Sequence, residues 1–280
     1  MNAEAERPEL EPEVAEIVDR LRESRRYRSI SEPALVRVAR WSAGAHKGRQ
    51  AALKAAKRKL HQAYGAYLSP GAVAAAERAA ERIAAGGLGD DEQRALCREV
   101  LRQHASTAER LPFLETFYAD LTAGLPPVRS MLDLACGLNP FALPWMDLPA
   151  GASYLAVDVD DRLARVFDQL GQAWPVDLRG VAQDLAAGPP EASADLVLLL
   201  KAIPCLEQQE PGAGKRLLRS LDAPVIVVSF PARSLGGREK GMRENYDRML
   251  REMVAGSGRE IQVRSYPTET VYRLVAGSSG

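Results

Sequence analysis

At 280 residues and 30.4 kDa, with 46% hydrophobic residues, the chain is long enough for one large α/β domain and a smaller appendage, and too apolar to be disordered. No stretch reaches the roughly 18 to 20 uninterrupted apolar residues of a spanning helix, and the acidic opening MNAEAERPELEPEV lacks a signal-peptide segment, so the expected compartment is the cytoplasm. The formal net charge is zero, and the three cysteines (Cys97, Cys136, Cys205) are too scattered for a disulfide framework or a zinc site, so no metal is expected.

Read in chain order, the first part is helical. Val14, Ile17, Val18 and Leu21 repeat at helical spacing, but the first thirty residues support no assignment beyond a surface helix. Ser31-Glu32-Pro33 then supplies an N-cap with proline in the first turn. A third helix is expected from about His46 to Tyr64, a fourth from Ser69-Pro70 to Gly86-Gly87, a fifth capped by Asp90 or Asp91, and a sixth over Leu111 to Ala123. From Pro33 to Ala76 there are eight basic residues (Arg37, Arg40, Lys47, Arg49, Lys54, Lys57, Arg58, Lys59) and no acid, whereas Leu111 to Val225 holds fifteen acids against eight bases. The zero total therefore conceals a basic amino-terminal part joined to an acidic one, as expected when one part faces a polyanion. An Ala-rich helix carrying lysines can also be a plain solvated face, but such faces usually mix signs to gain i,i+4 pairs.

After Pro126-Pro127 short apolar runs alternate with helical segments. Expected strands are Ser130 to Ala135, Tyr154 to Val157, Val176 to Ala182, Leu196 to Leu200 and Val225 to Phe230, whose continuous apolar character suggests parallel pairing buried on both faces. Glu260 to Tyr266 and Thr270 to Ala276 are separated by a turn at Pro267 and should form an antiparallel hairpin. Such an arrangement is that of a class I (Rossmann-like) methyltransferase sheet, here behind an all-helical amino-terminal domain.

Ligands of open α/β sheets bind at the carboxyl ends of the strands, where small residues let the backbone approach. Met131 to Pro140 (MLDLACGLNP) falls at the end of the first strand, with Ala135 and Gly137 as those small residues, and it lacks the GxGxxG of a dinucleotide-binding dehydrogenase. Asp158, ending the second strand, is placed to accept hydrogen bonds from ribose hydroxyls, and Asp184, just past the third, is placed for an adenine amino group with Leu185 packing on the ring. Alone, each acid could be a solvated loop residue. Together the three strand-end signals point to a bound cofactor.

The segments Lys59-Leu60-His61, Gly65-Ala66-Tyr67, His104-Ala105-Ser106-Thr107 with Arg110, Asp133 to Pro140, Leu200-Lys201 with Glu207-Gln208-Gln209, and Ser229-Phe230-Pro231 with Ser234 to Arg238 resemble the 16S rRNA (guanine(1405)-N(7))-methyltransferases, the aminoglycoside-resistance methyltransferase family. Any one block is weak; their order and combination are specific. The resemblance implies a docking domain for 16S rRNA within the 30S subunit over residues 1–110, and an S-adenosylmethionine-binding domain over 111–280. It further implies that His104, Ala105, Ser106 and Arg110 join the cofactor site, with Arg110 forking the methionine carboxylate, and that Tyr67 closes over it, Tyr64 being an open alternative. Leu200 and Gln209 would flank cofactor and target, with Lys201 a possible target contact, and the eight basic residues would contact RNA phosphates.

Guanine N7 carries a lone pair at neutral pH, so this chemistry requires no general base, in keeping with the absence from the sequence of a Ser/His/Asp or Cys/His pattern. A pyrimidine C5 methyltransferase using Cys136 or Cys205 as nucleophile is the less economical reading, since Cys136 belongs to the turn and Cys205 follows Pro204. A methyltransferase for another rRNA nucleotide or a small molecule, and a non-catalytic ribosome-binding factor with a degenerate fold, stay open on sequence alone.

Overall fold

The computed structural model describes residues 10–65, 68–69, 71–232 and 241–277. The expected residues Tyr67, Pro70 and Ser234 to Arg238 lie outside them. Helices α1 (Pro12–Arg22), α2 (Glu32–Ala45) and α3 (Arg49–Leu60, continued by a π turn His61–Gly65) form a bundle with its own core, in which Val14, Ile17, Val18 and Leu21 face Leu35, Val38, Ala52 and Leu60. The first helix is thus an inner wall of the bundle and not merely a surface helix. Ser31 caps α2 by position alone: its hydroxyl is buried without a hydrogen-bond partner, while its amide donates to Val159 O at 2.8 Å.

Helices α4 (Ala72–Ala84), α5 (Asp90–Leu101), α6 (Ala105–Ala108) and α7 (Leu114–Thr122) follow, the last preceded by a 3-10 turn at Leu111–Phe113. The fifth expected helix starts after Gly89 and not on an aspartate cap; the Glu92 carboxylate instead accepts from the Gly89 amide at 3.0 Å. The division between helical and sheet parts also differs from the expected one. Ala76, Ala80, Ile83, Val100 and Leu101 share one hydrophobic core with Phe117, Met131, Tyr154 and Phe167, so α4 and α5 pack with the sheet, and the separate helical module ends near residue 65. Helical periodicity alone does not say against which partner an apolar stripe will be buried.

The sheet has seven strands: β1 (Ser130–Leu134), β2 (Ser153–Asp158), β3 (Asp177–Ala182), β4 (Leu196–Leu200), β5 (Val225–Pro231), β6 (Glu260–Ser265) and β7 (Glu269–Val275), in the order β3-β2-β1-β4-β5-β7-β6. The first five pair in parallel, and β7 inserts antiparallel between β5 and β6. Reversal of strand order at β1 and β4 places the topological switch at their carboxyl ends. Helix α8 (Asp161–Gly171) lies so close on β3 that a Cβ at Gly180 would meet the Ala164 carbonyl at 2.0 Å. On the opposite face pack α9 (Ile203–Gln209), α10 (Ala213–Ser220) and α11 (Met242–Val254). Among the described residues no helix is long and apolar enough to cross a membrane.

Candidate cofactor and target site

A cavity of about 640 Å³ opens over the carboxyl ends of β1, β2, β3 and β4. Its floor is backbone under strain. Ala135, just past β1, and Lys201, just past β4, both adopt left-handed φ (53° and 59°), a conformation that costs a residue with a Cβ about 1 to 3 kcal/mol and clusters at functional sites. Gly137 (φ 54°) completes the first turn, and a Cβ there would stand 3.0 Å from the His104 ring. Glycine therefore lets the turn lie against the imidazole. The Gly137 amide donates to Asp158 Oδ2 at 2.9 Å, tying the β1 and β2 ends together, and Asp158 Oδ1 accepts from Val159 and Asp160 amides at 2.7 and 3.2 Å.

Of the residues expected from sequence, His104, Ser106, Ala135, Gly137, Asp158, Leu185, Leu200, Lys201 and Gln209 line the cavity. Tyr64 also lines it, whereas Tyr67 lies outside the described residues. The His104 ring nitrogen Nδ1 lies 2.9 Å from the Ser106 hydroxyl, and burial, with Arg110 and Lys201 nearby, pushes its pKa down to about 3, so the imidazole is neutral.

Three expected residues do not line the cavity. Ala105 is absent from its lining, unlike its neighbours His104 and Ser106. Arg110 is 1% exposed, and its guanidinium forks Glu269 of β7 at 2.6 and 3.0 Å instead of facing the cavity. Asp184 is likewise taken by another side chain, the Arg37 guanidinium, at 2.6 and 3.0 Å. That pairing also corrects the expectation for Arg37, which is a strut between module and sheet and not a free surface cation. The acid-free segment suggested eight unpaired bases, yet Arg40 meets Glu11 at 3.8 Å and Arg49 meets Glu16 at 2.9 Å. Lys59 sits 3.9 Å from the Trp41 ring centroid. The two acids come from α1 and its N-cap, outside the acid-free segment, which a count along one segment cannot register. Lys47, Lys54 and Arg58 remain exposed and Lys57 half-exposed, and among the described residues none of the four has a carboxylate partner.

Sequence reasoning passed over a buried polar chain behind the cavity. Lys201 Nζ donates to Glu109 and lies 3.9 Å from Glu269; Arg110 continues from Glu269 to Asn139 at 3.4 Å; Asn139 donates to Asp133 at 2.8 Å, which also accepts from Tyr154 at 2.7 Å. Burial opposes the Glu269 charge, but Arg110 and Lys201 hold its pKa below the ordinary glutamate value. Burial raises Asp133 to about 6, against the hydrogen bonds of Asn139 and Tyr154, and its Oδ1 has no partner. Glu269 carried no motif in the sequence; its position two residues after the hairpin turn at Pro267 was the available clue. Also passed over was the loop after α1. Arg25, Arg26, Tyr27, Ser29 and Ile30 line the cavity, and the loop is sewn to the start of α8 by Ser29 Oγ to Asp160 at 2.8 Å and the Asp161 amide to Ser29 O at 2.7 Å.

This cavity suits an adenosyl ligand with an amino-acid tail: strained small-residue turns that admit it closely, an acid at the β2 end, and the orphaned Asp133 oxygen behind the β1 turn. A parallel sheet closed by an antiparallel hairpin, with such a cavity at its switch point, defines a class I methyltransferase. Residues 23–272 match the family described as ribosomal RNA methyltransferase (FmrO), and the chain belongs to that family. It is 39% identical over 258 residues to the 16S rRNA (guanine(1405)-N(7))-methyltransferase of Micromonospora olivasterospora, covering 91% of this chain and 86% of the relative. The enzyme of that name from Frankia casuarinae is 40% identical over 262 residues, covering 91% and 92%. The crystal structure of 16S rRNA methyltransferase RmtF in complex with S-adenosyl-L-homocysteine superposes with a TM-score of 0.81 at 30% identity, covering 96% of this chain and all of the other.

Proposed function

We propose that this chain transfers a methyl group from S-adenosylmethionine to N7 of guanine 1405 in 16S rRNA, within the small ribosomal subunit of the cytoplasm, and so gives aminoglycoside resistance. The observation that carries this reading is the end-to-end similarity to enzymes of that name, which spans both the helical module and the sheet. Ala135, Gly137, Asp158, Leu185 and Gln209 would hold the cofactor, with His104, Ser106 and Tyr64 around it, Arg110 acting from behind the wall and Asp184, between the lining residues Gln183 and Leu185, meeting the adenine end. When bound, the cofactor supplies an electrophilic methyl on sulfur. The residues of this chain align the guanine and exclude water, and positioning of that kind can lower a barrier by roughly 7 to 11 kcal/mol. No proton has to leave N7, which suits a site whose histidine is buried and neutral. Lys201, held by Glu109 and Glu269 at the cavity floor, would be a cation for the target nucleotide.

Docking falls to the helical module. Lys47, Lys54, Lys57 and Arg58, without a carboxylate partner among the described residues, would supply its basic face to phosphates, with the shape of the subunit selecting the site. Methylation makes the guanine ring cationic and fills an acceptor on its Hoogsteen edge, so polycationic drugs that use this guanine lose a contact and meet a like charge. Primer extension on 16S rRNA from cells expressing the chain, after cleavage at N7-methylguanine, should report a strand break at position 1405, the cDNA ending at the next nucleotide on its 3′ side. The same cells should survive gentamicin and stay sensitive to apramycin. A stop elsewhere, or apramycin resistance, would move the target to another nucleotide, such as a neighbouring adenine.

A further inference from the structure

We infer that Arg37, carried by the helical module, is a positioning residue for the adenine end of the cofactor site: it fixes the Asp184 carboxylate and through it sets the preference for a 6-amino purine. The inference rests on the proposed placement of Asp184 at that end. Arg37 Nε donates to Asp184 Oδ2 at 2.6 Å and Nη2 to Oδ1 at 3.0 Å, a two-point fork that fixes the plane of the carboxylate as a single ammonium contact would not. The Ala186 amide adds a bond to Oδ1 at 3.2 Å. A carboxylate offers about four lone-pair directions. With three occupied among the described residues, one on Oδ2 is left for an incoming donor.

The surroundings tie this fork to the cavity. Asp184 is 4% exposed and lies between Gln183 and Leu185, both of which line it. Arg37 Nη2 also reaches Gln209 Oε1 at 3.5 Å, and Gln209, another lining residue, donates back to the Lys59 carbonyl of the module at 3.2 Å. Burial works against the Arg37 charge, but Asp184 holds the guanidinium pKa above its ordinary value. A side chain committed in this way is a poor phosphate contact, although it belongs to a segment rich in exposed bases. An adenine amino group would donate to the free direction on Oδ2. In the 6-oxo analogue an oxygen faces the carboxylate, and a buried acceptor left opposite an acceptor rejects the ligand.

The test uses the full chain and calorimetry with two probes, S-adenosylhomocysteine and its inosine counterpart, on the unaltered protein and on Arg37→Gln, Arg37→Lys and Asp184→Asn. The unaltered chain should prefer the adenine probe, and Arg37→Gln should shrink that preference by roughly ten- to a hundredfold, with Arg37→Lys in between. Affinity of Arg37→Gln for small subunits should stay within about twofold of the unaltered chain, since no phosphate contact is removed. Equal weakening toward both probes, or no change, would overturn the role of Arg37. So would a large loss of subunit binding with the preference intact, which would make Arg37 an RNA contact. If Asp184→Asn keeps the full preference, the placement of Asp184 fails and the inference with it. If Asp184→Asn loses the preference and Arg37→Gln keeps it, only the role of Arg37 fails. Should Arg37→Gln not fold, as judged by thermal unfolding, the graded effect of Arg37→Lys decides the same question.

Discussion

The helical module and the sheet domain carry charge in opposite ways. In the sheet domain the ions that matter face inward: Arg110 and Glu269 are 1% and 0% exposed and neutralise each other, with Lys201 at their side. In the module, Lys47, Lys54 and Arg58 face outward, and the pairs Arg40 with Glu11 and Arg49 with Glu16 are solvated. A charge removed from the first region should therefore be read out as stability, and one removed from the second as affinity for a partner. Arg37 belongs to neither pattern, being a module cation spent on a sheet carboxylate.

The largest effect should come from breaking the inner set. Glu269→Ala leaves Arg110 buried without its counter-ion and should cost about 3 to 5 kcal/mol in denaturant unfolding, whereas the paired change Arg110→Met with Glu269→Leu should recover most of that stability. A benign Glu269→Ala would erase the distinction between the regions. Next in size, reversing charge at Lys54, Lys57 and Arg58 together should lower small-subunit affinity by more than about a hundredfold and flatten its salt dependence by two to three phosphate contacts. Calorimetry with S-adenosylhomocysteine should show no change in that variant. Retained subunit binding would mean that the outward face does not dock. At Gly180 the contrast sharpens further: alanine there drives a Cβ into the Ala164 carbonyl, so α8 must shift, at about 1 to 3 kcal/mol in thermal unfolding.

A smaller effect should appear as a pH dependence. Asp133 titrates near 6 in the folded chain, above the ordinary aspartate value it has when unfolded, so the folded state binds the extra proton and stability falls as pH rises between those two values. Asp133→Asn removes that term. Its unfolding temperature should therefore rise relative to the unaltered protein between pH 4 and pH 7, and parallel profiles would show that burial does not hold the proton on Asp133. The smallest change is expected at Arg40→Ala and Arg49→Ala, each within about 1 kcal/mol, because exposed pairs contribute little.

What could be read from the sequence follows the same divide. Strand positions and their parallel pairing were legible because Leu196 to Leu200 or Val225 to Phe230 are apolar on both faces, and the turn at Ala135 and Gly137 announced itself through small residues at a strand end. Local patterns carry that information. Partners distant in sequence do not: nothing near Arg110 names Glu269, which is 159 residues away, and nothing near Arg37 names Asp184, 147 residues away. For the same reason the burial partner of α4 and α5 is not legible, since they look like the helices before them and differ only in what they cover. The cavity wall at Tyr27 and Ile30 was illegible because an apolar residue facing a ligand and one facing a core leave the same trace in a sequence.

The position of Glu269 on β7 has a consequence for synthesis of the chain. Arg110 and Lys201 leave the ribosome well before it, so a nascent chain that has emerged only through β5 holds two cations at the centre of its future domain and lacks the buried anion that joins them. Burying them in that state is opposed by desolvation. The hairpin thus acts as the closing element of the domain: its buried cations meet their anion only when β7 lies between β5 and β6.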